Sequence, residues 1–146
     1  MANIVRISPE EAQKLMDNEG YVYLDVRSEP EYEAGHPRGA HNVPIMTLGP
    51  QGMQPNHQFL DVALALYPKD QKLIVGCRSG QRSMRAAHAL TASGYTNVVD
   101  QRAGFEGPRD AFGGLAEPGW STLGLPTETE TPGASYADLK KKAGKG

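Results

Sequence analysis

The sequence predicts a single α/β domain built around a mostly parallel sheet. Short apolar strand patterns alternate with helical ones along the chain. One of those strands runs directly into a small-residue turn that opens a helix, the junction where α/β proteins place ligands. The chain has 146 residues, enough to bury a core without disulfides or metals.

The elements follow in order. Ser8 is a good N-cap, Pro9 suits the first helical position, and Glu11 closes a capping box. Ala12, Leu15 and Met16 continue at helical spacing, and Gly20 ends the helix. Residues 21–26 (YVYLDV) read as a buried strand, and residues 30–33 as a helical turn before the Gly35-His36-Pro37 break. Residues 40–43 form a short extended piece ending at Pro44. The Gly- and Pro-rich stretch 47–56 reads as a loop, 59–67 as a helix and 72–76 as a compact strand. A helix over 82–94, a last short strand at Val98 and Val99, and a turn plus short helix over 103–114 complete the pattern. The domain is expected to span 4–126. Residues 127–146 are polar and Lys-rich, as in a mobile tail or a peripheral helix.

Composition removes several function classes. A net charge of −2 gives no reason to expect a nucleic-acid partner. No stretch approaches the roughly 18 consecutive apolar residues of a membrane span. The N-terminal stretch lacks the pattern of a secretory signal, so a cytoplasmic location is expected. The single cysteine excludes an intramolecular disulfide and suits a reducing compartment. His36, His41, His57 and His88 form no metal motif with Cys77, and neither metal nor cofactor is expected.

An isolated cysteine is usually a small buried hydrophobe. The surroundings of Cys77 argue otherwise. It ends a buried strand, and Arg78, Ser79, Gly80, Gln81, Arg82 and Ser83 lead from it into a helix. Three effects converge on the sulfur if that loop curls around it. Consecutive backbone N–H groups form an anion nest, the helix N-terminus adds unpaired donors, and Arg78 and Arg82 supply fixed charge. All three favour a thiolate, and they equally favour an anion seated on or beside the sulfur. Gly80 permits turns that a side chain blocks, while Ser79 and Ser83 leave room and offer hydroxyls.

Here the sequence resembles the rhodanese (thiosulfate sulfurtransferase) family, in its single-domain type. The resemblance rests on YLDVRSEPEYEAGHPRGAHNVP, LIVGCRSGQRS and GYTNVVDQRAGFEG, in that order. It implies a rhodanese-like domain with a five-stranded, mostly parallel sheet flanked by helices. It also implies that Cys77 takes the outer sulfur of a small anionic donor such as thiosulfate. A thiol or cyanide then accepts that sulfur from the Cys77 persulfide. By the same resemblance, the amides of residues 78–83 hold the persulfide, and Arg78 and Arg82 attract the donor. Asp25 and Arg27 match the family's DVR element. They read as a buried ion pair or hydrogen-bond anchor in preference to direct substrate contacts. Glu31, His36 and His41 are expected to be structural. Relatives often carry a double glycine and tryptophan where this chain has Ala103-Gly104-Phe105, and residues 110–123 look like an insertion that could shape the pocket rim.

Two rivals remain at this point. A phosphatase or arsenate reductase uses the same nest logic, but cysteine phosphatases space Cys and Arg further apart than the four residues between Cys77 and Arg82. A non-catalytic binding or redox-sensing module is the other, and inactive modules typically lack the cysteine.

Overall fold

The computed structural model describes residues 4–145. Strand β1 (Val5–Ile7) leads into helix α1 (Pro9–Glu19), and β2 (Val22–Asp25) into α2 (Glu29–Ala34). The short strands β3 (His36–Pro37) and β4 (His41–Asn42) precede β5 (Met46–Gly49), β6 (Gly52–Pro55) and helix α3 (Phe59–Leu66). Then come β7 (Leu73–Gly76), α4 (Gln81–Ala92), β8 (Val98–Gln101), β9 (Thr127–Glu128) and α5 (Tyr136–Lys142).

Five strands make one parallel sheet in the order β1-β8-β7-β2-β4. The innermost strand, β7, is buried at every position, as a strand covered on both faces must be. Its side chains alternate between two layers. Leu73 and Val75 join Phe59, Val62, Ala86, Ala87, Leu90, Tyr136 and Leu139 on the face covered by α3, α4 and α5. Ile74 joins Ala12, Tyr23, Tyr32 and Trp120 on the face covered by α1 and α2. Cys77 continues the first of these layers, which points its side chain toward α4.

Local sequence chemistry explains the helix ends. Ser8 and Glu11 exchange hydrogen bonds in the expected capping box, and Gly20 closes α1 in the left-handed conformation. Two expectations are revised and one is narrowed. Residues 47–56 are not a loop: β5 and β6 pair as an antiparallel hairpin. Their Gly and Pro content marks the tight turn between Gly49 and Gly52 and hides the flanking strands. Residues 103–114 hold no helix; Gly104, Gly107 and Gly113 take positive φ and break it into successive turns. After Pro126 the two expected alternatives, mobile tail or peripheral helix, narrow to the helix, with a short strand before it. Strand β9 pairs with β3, and α5 buries Tyr136 and Leu139 in the core. The Lys-rich run forms the exposed side of that helix, while its apolar side covers the sheet.

Candidate active site

Cys77 sits where β7 ends, and only 2 % of its surface is exposed. Its Sγ accepts a hydrogen bond from the Gly80 N–H at 3.1 Å and lies 3.4 Å from Ser83 Oγ. Gly80 is the N-cap of α4 with φ 101°, and a Cβ there would come within 2.3 Å of the Arg102 carbonyl oxygen. Only glycine permits this turn. The sulfur therefore faces both the Gly80 amide and the first turn of a helix, whose partial positive charge favours an anion. Among the described residues no other loop amide hydrogen-bonds the sulfur itself.

The loop is fastened from below. The Cys77 carbonyl accepts from Phe105 N–H at 2.7 Å, and the Arg78 carbonyl accepts from the Glu106 and Gly107 amides. Gly104 makes that approach possible, because a Cβ there would sit 2.5 Å from the Arg78 backbone. The second glycine of the usual pair is thus the one that packing requires, and Ala103 occupies the first position fully buried.

The two loop arginines are placed differently. Arg78 is exposed at the rim and pairs with Glu106 at 2.7 Å. Arg82 grips Glu31 with both terminal nitrogens, at 2.7 and 2.9 Å. Burial works against the Glu31 charge, but Arg82 and Ser28 outweigh it and hold the carboxyl down at about 2. Arg82 is therefore not an open cation above the sulfur; it ties α4 to α2. Ser79 is half-buried, Gln81 is exposed and Ser83 is fully buried.

Asp25 and Arg27 form the buried pair that the sequence suggests. Arg27 Nη2 lies 2.8 Å from Asp25 Oδ2, Arg27 N–H donates to Asp25 Oδ1, and Nη2 also donates to the Gly35 carbonyl at 2.7 Å. Burial opposes the Arg27 charge, but Asp25 more than offsets it and raises the guanidinium pKa. Phe105 lies over that guanidinium, 4.4 Å from centroid to Cζ. His36 is buried between the Tyr32 carbonyl and Thr131 Oγ1, and His41 meets the Tyr67 hydroxyl at 2.6 Å. A hollow of about 290 Å³ beside the loop is lined by Arg27, Glu31, Ala34, Gly35, Phe105 and the Arg78–Glu106 pair.

Two residues that sequence reasoning did not single out reach the loop. Arg6 of β1 donates to Asp100 Oδ2 and to the Gly80 carbonyl, and the Asp100 carboxylate is fully buried. The available signal was a charged residue inside each apolar strand run, IVRI and NVVDQ.

Residues 8–110 match the family described as Rhodanese-like domain. The chain belongs to the rhodanese family. It is 39 % identical over 109 residues to thiosulfate sulfurtransferase 16, chloroplastic, of Arabidopsis thaliana, covering 75 % of this chain and 81 % of that one. A second Arabidopsis relative, protein HIGH ARSENIC CONTENT 1, mitochondrial, is 36 % identical over 92 residues, covering 63 % of this chain and 54 % of its own. The crystal structure of Rv0390 from M. tuberculosis superposes with a TM-score of 0.72 at 34 % identity, covering 88 % of this rhodanese and all of that chain. Relatives named thiosulfate sulfurtransferase support activity of the sulfurtransferase type.

Proposed function

We propose that this rhodanese domain moves sulfane sulfur through a Cys77 persulfide. The observation that supports this most is the Gly80 N–H directed at Sγ from the N-terminus of α4. As a thiolate, Sγ attacks the outer sulfur of thiosulfate. A new S–S bond forms, the donor's S–S bond breaks, and sulfite leaves with the electron pair. An acceptor thiolate or cyanide then attacks the terminal sulfur, and the Cys77 thiolate is regenerated. The donor approaches through the hollow beside the loop, where Arg78 can exchange Glu106 for the anion. Gly80 and Ser83 hold the inner sulfur, while Asp25 and Arg27 brace the opposite wall. No cofactor is assigned a role. A reducing compartment such as the cytoplasm suits a lone thiol that must return to its reduced form each cycle.

Purified protein given thiosulfate and cyanide should release thiocyanate, and donor alone should add the mass of one sulfur atom to Cys77. Cys77→Ser should abolish both. Turnover persisting in that variant would falsify the assignment of the nucleophile. A second reading, thiolate attack on arsenate, draws on the name of the mitochondrial relative. Arsenite release from arsenate and glutathione, with no sulfur mass gain after thiosulfate, would favour it instead.

A further inference from the structure

The sulfur of Cys77 touches two groups, and each leads back to the same ion pair. Gly80 donates its N–H to Sγ, and its carbonyl accepts from Arg6 Nη2 at 3.1 Å. Ser83 Oγ lies 3.4 Å from Sγ and stands beside the Asp100 carboxylate, whose Oδ2 is bound by Arg6 Nε at 2.7 Å. These contacts make a chain, Ser83 to Cys77 to Gly80 to Arg6 to Asp100, whose two ends would close it into a ring. One link is open: Asp100 Oδ1 is buried without a hydrogen-bond partner among the described residues, and the nearby Ser83 hydroxyl acts on the carboxylate only by favouring its charged form. A rotation of that hydroxyl would supply the missing donor.

We propose that Arg6 and Asp100 are positioning residues for sulfur transfer: Arg6 fixes Gly80 so that its N–H meets Sγ, and ionised Asp100 sets the direction of the Ser83 hydroxyl. A buried carboxylate aimed at a serine, unpaired on one oxygen, has little value as packing. It gains one as the part that orients the side chain that, among the described residues, hydrogen-bonds the sulfur. The pair also sits outside the Asp25–Arg27 element, on the other side of β7 in the sheet.

This rests on Cys77 being the sulfur carrier, so the test has one arm that needs no sulfur donor. In steady-state transfer from thiosulfate, Arg6→Ala and Asp100→Asn should each lower kcat about 10- to 100-fold with KM within about twofold, the signature of misaligned reacting groups. Arg6→Lys, which keeps the charge and one contact, should recover part of the rate. A pH profile separates positioning from mere support. Burial raises the Asp100 pKa against the pull of Ser83 and Arg6; Arg6 on β1 is the charge that acts on Asp100, while Arg82 on α4 and Tyr23 on β2 face Cys77. Wild-type kcat should therefore fall as pH drops through an ionisation raised above the ordinary aspartate value, beside whatever limb the Cys77 thiolate itself contributes, and Asp100→Asn should be slow and lack the Asp100 limb. In the donor-free arm, Arg6→Ala should slow iodoacetamide alkylation of Cys77 about tenfold at neutral pH, since one hydrogen bond to a charged group is lost. If Asp100→Asn does not fold, Arg6→Ala on the exposed edge strand decides alone. Arg6→Ala with wild-type kcat and alkylation rate overturns the proposal, as does an acid side of the pH profile in Asp100→Asn that is unchanged from wild type. Slower alkylation in Arg6→Ala beside a wild type that makes no thiocyanate upholds the clamp and rejects the sulfur-transfer reading.

Discussion

Arg78 and Arg82 stand four positions apart in one loop and do opposite work. Arg78 is exposed at the rim, with 59 % of its side chain accessible, and its partner Glu106 is similarly open. Arg82 is mostly covered and held by two hydrogen bonds to Glu31, which is itself fixed by the Ser28 amide and hydroxyl. The first pair is weak and exchangeable, as surface ion pairs are. The second is a bidentate clasp in a drier setting, and it fixes where α4 starts relative to α2. Cationic residues near a nucleophile are thus not interchangeable parts of one charged cradle. One can leave its partner for a substrate, and the other cannot without loosening the loop.

Three measurements can break that distinction. The largest effect belongs to Arg82→Ala, which strands the half-buried Glu31 carboxylate and should cost about 1–3 kcal/mol in urea unfolding. A loss below about 0.5 kcal/mol would place Arg82 with Arg78. The second is the pH dependence of the clasp. Glu31 is held well below its ordinary value, at about 2. A depressed carboxyl stabilises the fold above its unfolded pKa, and the gain disappears as pH falls through the folded value. Glu31→Gln should therefore be less stable than wild type at neutral pH, with the two curves converging as pH falls from about 4.5 toward 2. A gap that stays constant over that window would mean the ion pair contributes nothing. The smallest effect on stability is expected for Arg78→Ala, within about 0.5 kcal/mol. Its consequence should be kinetic: a KM for thiosulfate several-fold higher and less sensitive to salt. An unchanged KM would remove Arg78 from donor recognition.

Much of the fold was legible because local signals agreed with one another. The capping box at Ser8, the all-apolar run before Cys77 and the glycine at position 80 each have one simple structural solution, and the structure adopts it. The buried pairing of Asp25 with Arg27 was readable for the same reason, since a strand end offers such residues few other partners. What sequence did not disclose depends on contacts between distant segments. Arg82 could be placed near the cysteine, but only the docking of α2 against α4 turns it toward Glu31. Arg6 and Asp100 are separated by most of the chain and meet because β1 pairs with β8. Residues 127–142 look solvated by composition, and their burial rests on Ala134, Tyr136 and Leu139. Polar content there outweighs three well-placed apolar residues in any local reading.

The lateral strands of the sheet carry a separate consequence. β1 has three residues and β4 has two. β1 exposes too short a row of free backbone groups for a neighbouring molecule's strand to add on and carries a charged arginine in its middle, while the outer edge of β4 is taken by the C-terminal segment, where Asn42 N–H donates to the Ala134 carbonyl. A domain whose central strand is wholly apolar thereby gains protection against edge-to-edge polymerisation, the hazard that sheets with open edges face at high concentration.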